Sequence, residues 1–327
     1  MKIGVWVPNK YLNSVRIYYE QVSKRLAEMG VELLPISNQG ELPLDVDLYW
    51  DPTCTGGKNP HRKFIKRKIP LVATVHGASN FALPHHYTFM GRKQQVKGYW
   101  INLKRKFLWF FFRKNIEGII TVSGFAKEEI TKELRLPKQK IQAIYHGYDQ
   151  KVFFPIDDRK GDYLFHVSVF QPVKNLDMLL QAYQKADANK KLPLVVVVPF
   201  YPDKIDIEGV TLINYAISHE EVAHYMQHAR AFFLPSIRES FGLPLVEAMA
   251  CGTPVVTSKG SACEEVVSDH GILCDAHLLE DWVSAIESIS SDNELWNKLS
   301  EKAKLRSKKF SWDKTSELHY DFFKSLL

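Results

Sequence analysis

With 327 residues, of which 45% are hydrophobic, the chain is long enough for two ordinary domains, each with its own core. No run of about 18 apolar residues occurs, which excludes an ordinary membrane-spanning helix. The four cysteines, Cys54, Cys251, Cys263 and Cys274, form no close C-x-x-C pair, so neither a zinc site nor a disulfide framework is indicated and they read as small core residues. The net charge of +6 is unevenly held: residues 1–150 carry 24 Lys and Arg against 12 Asp and Glu, whereas the remainder is acidic. Within the first half, residues 61–116 hold 13 basic side chains and no carboxylate, which suggests a face that meets an anionic surface or substrate.

Taken in order, residues 2–8 form a short apolar strand pattern and not a signal peptide, so a cytoplasmic chain is expected. Residues 15–29 follow as a helix with Val15, Tyr18, Tyr19, Val22 and Leu26 on one stripe and Gly30 as its stop, then 31–36 as a strand. This βαβ opening belongs to a doubly wound domain, but the loop 9–14 between strand and helix has no glycine. The G-x-G-x-x-G fingerprint of a dinucleotide site is therefore absent, which argues against a dehydrogenase. Asp45 and Asp47 form a D-x-D pair; without a third ligand it is a poor cage for a divalent ion, and no metal is expected. The apolar strand 71–75 delivers His76 and Gly77 at its C-terminal end, where ligands of open α/β sheets gather. Residues 97–114 suit a helix on which Trp100, Leu103, Phe107, Phe110 and Phe111 share a stripe flanked by Lys104, Lys106, Arg113 and Lys114. Two alternatives stay open for it: packing on the sheet as core, or lying in an anionic membrane interface. Nucleic acid is not an expected partner.

Strands follow at 118–123 and 141–145, and the polar segment 157–162 is the best linker candidate. A second doubly wound pattern then begins with a strand at 163–168 and a helix through Leu179, Leu180 and Tyr183, preceded by Lys174. Strands at 194–198 and 210–214, a capping box at Ser218–Glu221 and helices near 281–288 and 294–306 complete it. Between them lies the most informative stretch, 232–257, F-F-L-P-S-I-R-E-S-F-G-L-P-L-V-E-A-M-A-C-G-T-P-V-V-T. An apolar strand ends at Pro235, Pro244 suits the first turn of a short helix, and Gly252 suits its close. The backbone N–H groups of Phe241, Gly242 and Leu243 would stand at the mouth of that helix, an anion site by virtue of its dipole. Glu239 before the helix and Glu247 one turn into it flank that mouth, placed to bond sugars at either end of a diphosphate.

The spacing of Glu239 and Glu247 within E-S-F-G-L-P-L-V-E-A-M-A-C-G-T-P-V-V resembles the paired-glutamate signature of the retaining glycosyltransferases of family 4, within the glycogen synthase and phosphorylase-like superfamily. The segment T-V-H-G-A-S is similar to that family's histidine motif, H-G-Y-D at 146–149 to its interdomain turn, and F-S-W at 310–312 to its C-terminal segment. The resemblance implies the GT-B fold: an α/β chain of two Rossmann-like domains facing across a cleft. Residues 1–152 would be the acceptor-side domain, 160–308 the nucleotide-sugar domain, and 309–327 a helix returning to the first. It also implies transfer of a sugar from a nucleotide donor, a UDP-sugar by preference, to a hydroxyl of a glycan or lipid-linked acceptor with retention, without a metal or other cofactor. His76 and Glu239 take the catalytic positions, and Lys174, Phe241, Gly242, Leu243 and Glu247 the donor-binding ones. Members acting on lipid-linked acceptors often attach to the inner face of a membrane through the first domain, which makes 97–114 a candidate anionic-membrane contact. The chain departs from the pattern where Ser168 and Val169 replace a Gly-Arg pair, one of two cationic diphosphate clamps. That departure keeps a non-catalytic nucleotide-sugar-binding scaffold of the same fold as the alternative.

Overall fold

The computed structural model describes residues 1–8, 13–38, 41–88, 91–157 and 161–327; most of the glycine-free loop 9–14 and the centre of the linker candidate 157–162 lie outside the described residues. The chain divides into two compact units, Met1–Gly147 with Ser311–Leu327, and Tyr148–Phe310.

In the first unit the strands are β1 (Lys2–Trp6), β2 (Glu32–Ile36), β3 (Leu48–Cys54), β4 (Leu71–Val75), β5 (Gly118–Thr121) and β6 (Ile141–Ala143). Among the described residues they form one parallel sheet in the order β2-β1-β3-β4-β5-β6. Successive side chains of β4 face opposite sides: Leu71, Ala73 and Val75 pack with Trp109, Phe112 and Ile130, whereas Val72 packs with Tyr18, Trp50 and Ile120. A strand covered on both faces has to be apolar almost throughout, which is why these strands read as near-continuous hydrophobic runs. The helices are α1 (Asn13–Glu28), α2 (Ser79–Ala82), α3 (His85–Thr88), α4 (Arg92–Asn115) and α5 (Gly124–Leu134).

The second unit repeats the plan with β7 (Leu164–Val167), β8 (Leu194–Val197), β9 (Val210–Ile213), β10 (Ala231–Leu234), β11 (Val255–Ser258) and β12 (Ile272–Cys274), parallel in the order β12-β11-β10-β7-β8-β9. Its helices are α6 (Leu176–Lys185), α7 (His219–His228), α8 (Leu243–Ala250), α9 (Ala262–Val267), α10 (Leu279–Ser291) and α11 (Asn293–Ser307). The last helix, α12 (Trp312–Lys324), belongs to the first unit, where it packs beside α1 and inserts Trp312 and Phe323 into the core beneath β1, β3 and β4. Gly147 marks the close approach that seats it: a Cβ there would lie 2.1 Å from the Trp312 backbone nitrogen.

Asp45 and Asp47 are both engaged by Lys2, through its ammonium at 2.6 Å and its backbone N–H at 2.7 Å, and among the described residues no cluster of His, Cys, Asp or Glu suits a metal. The Trp100 stripe of α4 is not core. The helix turns Gly98, Asn102, Trp109 and Phe112 inward and leaves Trp100, Leu103, Phe107, Phe110 and Phe111 exposed. No described helix is long and apolar enough to cross a membrane.

Candidate functional site

In an open α/β sheet the loops leaving two neighbouring strands diverge where the strand order reverses, and ligands bind in the gap between them. In the second unit that reversal falls between β7, which leads outward through β8 and β9, and β10, which leads the other way through β11 and β12. The two loops there carry Lys174 and Glu239. The first runs from Ser168 through a tight turn, with Asn175 in the left-handed region at φ 56°, into α6; the second links β10 to α8. They are laced together by the Ile237 N–H donating to the Val173 carbonyl at 2.9 Å. That tie brings the Lys174 ammonium to 2.7 Å from Glu239 Oε1, both side chains being about four-fifths buried at 20% and 16% exposure.

Glu239 is held from a second side, since the fully buried Ser236 hydroxyl donates to the same Oε1 at 2.8 Å. Its backbone carbonyl accepts the Ala262 N–H at 3.3 Å, which fixes the start of α9 against the same loop. Both described bonds to the carboxylate fall on Oε1. Sequence reasoning misses Ser236; the available signal is the hydroxyl three residues before the glutamate in S-I-R-E.

Beside the pair stands the mouth of α8. Its N-cap is Gly242 at φ 90°, a backbone conformation that strains any L side chain, and a Cβ there would sit 3.0 Å from Leu245. No side chain caps the first turn, and Pro244 occupies it without needing an N–H partner. Phe241 packs edge-on against Phe310, with ring centroids 5.8 Å apart, and so anchors the turn. Glu247 lies within α8 and is buried at 8% exposure instead of solvated. Burial without a charged partner pushes its carboxyl up to about 8, so at neutral pH it is mostly protonated.

His166 on β7 is a further residue that sequence reasoning misses. Its Nδ1 lies 2.9 Å from the Phe233 carbonyl and its Nε2 2.9 Å from the Ser168 hydroxyl. The carbonyl can only accept, so Nδ1 carries the proton and Nε2 accepts from Ser168. Burial lowers this imidazole to about 4 and keeps it neutral. Val169, which follows Ser168, projects into solvent at 56% exposure.

His76 stands in the first unit, at the C-terminal end of β4. Its Nε2 lies 2.8 Å from the Pro52 carbonyl, which again fixes the tautomer: Nε2 donates and Nδ1 is left as an acceptor. Its ring meets Tyr18 edge-on, with centroids 4.9 Å apart, and His146 lies 5.9 Å away. Tyr18 in turn bonds Thr74 at 2.9 Å and His319 of α12 at 2.6 Å. Desolvation lowers His76 and His319 to about 4, so His76 is a neutral polar group and not a cation. The structure thus groups Lys174, Glu239, Phe241, Gly242, Leu243 and Glu247 in one unit and places His76 in the other.

Comparison with known proteins agrees with this architecture. The family model Glycosyl transferases group 1 matches residues 202–306, and Glycosyltransferase Family 4 matches residues 49–152. An uncharacterized glycosyltransferase of Methanocaldococcus jannaschii is 29% identical over 76% of this chain, and an MMP α-(1→4)-mannosyltransferase of Mycolicibacterium hassiacum is 27% identical over 69%. The match takes in 66% and 57% of those two proteins, so the chain spans less than two thirds of the relatives it resembles. Among solved structures, the sucrose-phosphate synthase of Thermosynechococcus elongatus superposes with a TM-score of 0.75 at 16% identity, covering 100% of this chain and 99% of that one. HepE of Anabaena, solved in complex with UDP-glucose, gives 0.74 at 15% identity, covering 99% of this chain and 100% of its own. With two parallel α/β units of this topology, the chain is a GT-B, glycosyltransferase family 4-like protein.

Proposed function

We propose that the protein is a retaining hexosyltransferase that moves a sugar from a UDP-sugar to a hydroxyl of a polysaccharide or a lipid-linked glycan precursor, in the cytoplasm and without a metal. The observation that carries this reading is the Lys174–Glu239 pair at the β7/β10 reversal, fixed by Ser236 beside the uncapped mouth of α8. Charge builds on the leaving diphosphate as the glycosidic bond breaks. A lysine and a helix N-terminus held in place stabilise that charge more than they stabilise the bound donor, which is the condition for raising the rate. In this reading the backbone at Phe241, Gly242 and Leu243 and the Lys174 ammonium hold the diphosphate. Glu239 holds a hydroxyl of the sugar with Oε2, and Glu247 accepts from the ribose diol. His76 takes its catalytic position from its motif; its neutral Nδ1 is suited to accept a hydrogen bond from a sugar hydroxyl. The HepE complex with UDP-glucose supports a nucleotide-sugar donor, and the mannosyltransferase relative supports hexosyl transfer.

One observation favours the scaffold alternative. Val169 stands exposed where the resemblance places an arginine, and the loss of a charge-assisted bond to phosphate costs about 1.5–3 kcal/mol. Titration calorimetry with UDP on the wild type and Glu247→Ala, with a donor-hydrolysis assay across several UDP-sugars, separates the two. Binding that the substitution weakens, accompanied by turnover, supports the transferase. Binding without turnover of any donor supports the scaffold, and no binding refutes both.

A further inference from the structure

Among the described residues Arg135, Asn175, Phe200 and Ser268 adopt a positive φ without being glycine. Arg135 and Ser268 close α5 and α9, and Asn175 opens α6, positions where a chain turns out of or into a helix. Phe200 borders no described helix. It follows β8 with φ 61°, a backbone region that a bulky side chain enters only against steric cost. Its side chain is 84% exposed, so the ring recovers little of that cost by burial. A strained backbone that holds a large apolar ring in solvent destabilises the fold twice and gains nothing within this chain. That is the pattern of a residue kept for a ligand.

The surrounding loops fix Phe200 in place. Its N–H donates to the Asn214 carbonyl at 2.8 Å, which ties the loop leaving β8 to the loop leaving β9. The neighbouring Tyr201 meets Phe170 edge-on, with ring centroids 5.1 Å apart, and both pack against the core. Phe170 belongs to the loop from β7 that carries Lys174, so the loops at the carboxyl ends of β7, β8 and β9 are joined in series. Tyr215, the residue after Asn214, is 62% exposed. In the second unit the exposed Phe, Tyr and Trp side chains among the described residues are Phe154, Phe200 and Tyr215, and the last two share this edge of the sheet.

We propose that Phe200, with Tyr215 beside it, is the surface on which the base of the nucleotide donor stacks. The inference rests on the donor reading above, in which Lys174 and the mouth of α8 hold the diphosphate and Glu239 the sugar. Outward from β7, β8 and β9 stand about 5 and 10 Å away, within reach of the far end of a nucleotide bound there. The base is the one part of such a donor with aromatic faces, and a face stacks on a ring without needing a hydrogen-bond partner. The left-handed turn at Phe200 then serves to present the ring outward at that edge, where an ordinary backbone would carry the chain on differently.

Titration calorimetry with UDP on the wild type, Phe200→Gly and Phe200→Tyr tests this, together with saturation-transfer NMR on the uracil H5 and H6 protons. Phe200→Gly should weaken UDP about 5- to 150-fold, the worth of one stacked base, and abolish saturation of the uracil protons from the protein. The same variant should melt about 2–4 °C higher, because glycine relieves the strained φ, so lost affinity cannot be put down to misfolding. Phe200→Tyr keeps both the ring and the strain, and should keep the wild-type affinity and melting temperature. UDP affinity and uracil saturation that Phe200→Gly leaves unchanged overturn the inference and leave the donor reading standing. Equal loss in Phe200→Gly and Phe200→Tyr also overturns it, since the ring would then not be what binds. So does a loss of turnover in Phe200→Gly at unchanged UDP affinity, which would assign the ring to the acceptor. A wild type that binds no UDP overturns the donor reading and this inference with it.

Discussion

Glu247 offers a direct check on the link between burial and ligand chemistry. Its carboxyl titrates at about 8 in the folded chain against the ordinary 4.5, with desolvation as the cause. Because the folded value lies above the unfolded one, the native state holds an extra proton between pH 4.5 and 8, and stability falls as pH rises through that window. At pH 7 the penalty spans 2.5 units from 4.5, about 3 kcal/mol at about 1.4 kcal/mol per unit. Glu247→Gln keeps the shape of the protonated acid and cannot ionise. It should therefore raise the melting temperature of the second unit at pH 7 by up to about 6–12 °C and remove the decline between pH 5 and 8. Its UDP affinity should fall, because an amide holds a ribose diol less well than a carboxylate does. Ribose hydroxyls donating to the carboxylate favour the ionised form, so UDP binding at pH 7 should release close to one proton from the wild type and none from the variant. Differential scanning calorimetry across pH, and titration calorimetry in buffers of different ionisation enthalpy, read both effects. A wild type whose stability is flat from pH 5 to 8, or equal proton release from both proteins, would refute the reasoning.

Lys174→Ala removes the cation assigned to the diphosphate and should weaken UDP binding roughly ten- to hundredfold, by the worth of one charge-assisted bond; unchanged affinity by calorimetry would remove Lys174 from the site. Gly147→Ala drives a Cβ to 2.1 Å from the Trp312 nitrogen and 2.5 Å from the Ser311 carbonyl carbon. Neither backbone group can give way alone, so the change should cost about 3 kcal/mol or more and expose 311–327 to hydrogen exchange. The first unit should also be acid-sensitive. His76 and His319 are lowered from 6.5 to about 4, with His146 well below its usual value, so their neutral forms support the fold above pH 6.5 and that support is lost as pH falls towards 4. The loss is about 3 kcal/mol each for His76 and His319, and near-ultraviolet circular dichroism that stays constant from pH 7 to 4.5 would contradict it.

How far the sequence discloses the molecule depends on whether a property is local. The doubly wound pattern is legible because the central parallel strands are covered on both faces and read as near-continuous apolar runs. Residues 71–75 and 194–197 announce themselves without reference to any partner. The α8 turn is legible for a similar reason, since Gly242 and Pro244 are each dictated by the backbone at their own position. Lys174 and Glu239 are nameable from spacing and resemblance, but their 2.7 Å contact is not, because it follows from the parallel pairing of β7 with β10, strands about 65 residues apart in sequence. Ser236 and His166 escape for the same cause: a hydroxyl or an imidazole becomes part of a site only when the register of two strands brings an acceptor within 3 Å.

The α4 helix shows the limit most sharply. Periodicity finds its aromatic stripe but cannot say which of two apolar faces the sheet covers, and counting rings favours the wrong one. What decides is the set of bonds made on the smaller face. Asn102 donates to the Asn80 carbonyl at 2.6 Å, and Trp109 is turned inward to bond the Gly57 carbonyl at 2.9 Å. The larger and more aromatic face is then left outside by geometry, and its burial, if it occurs, has to come from something other than this chain's own core.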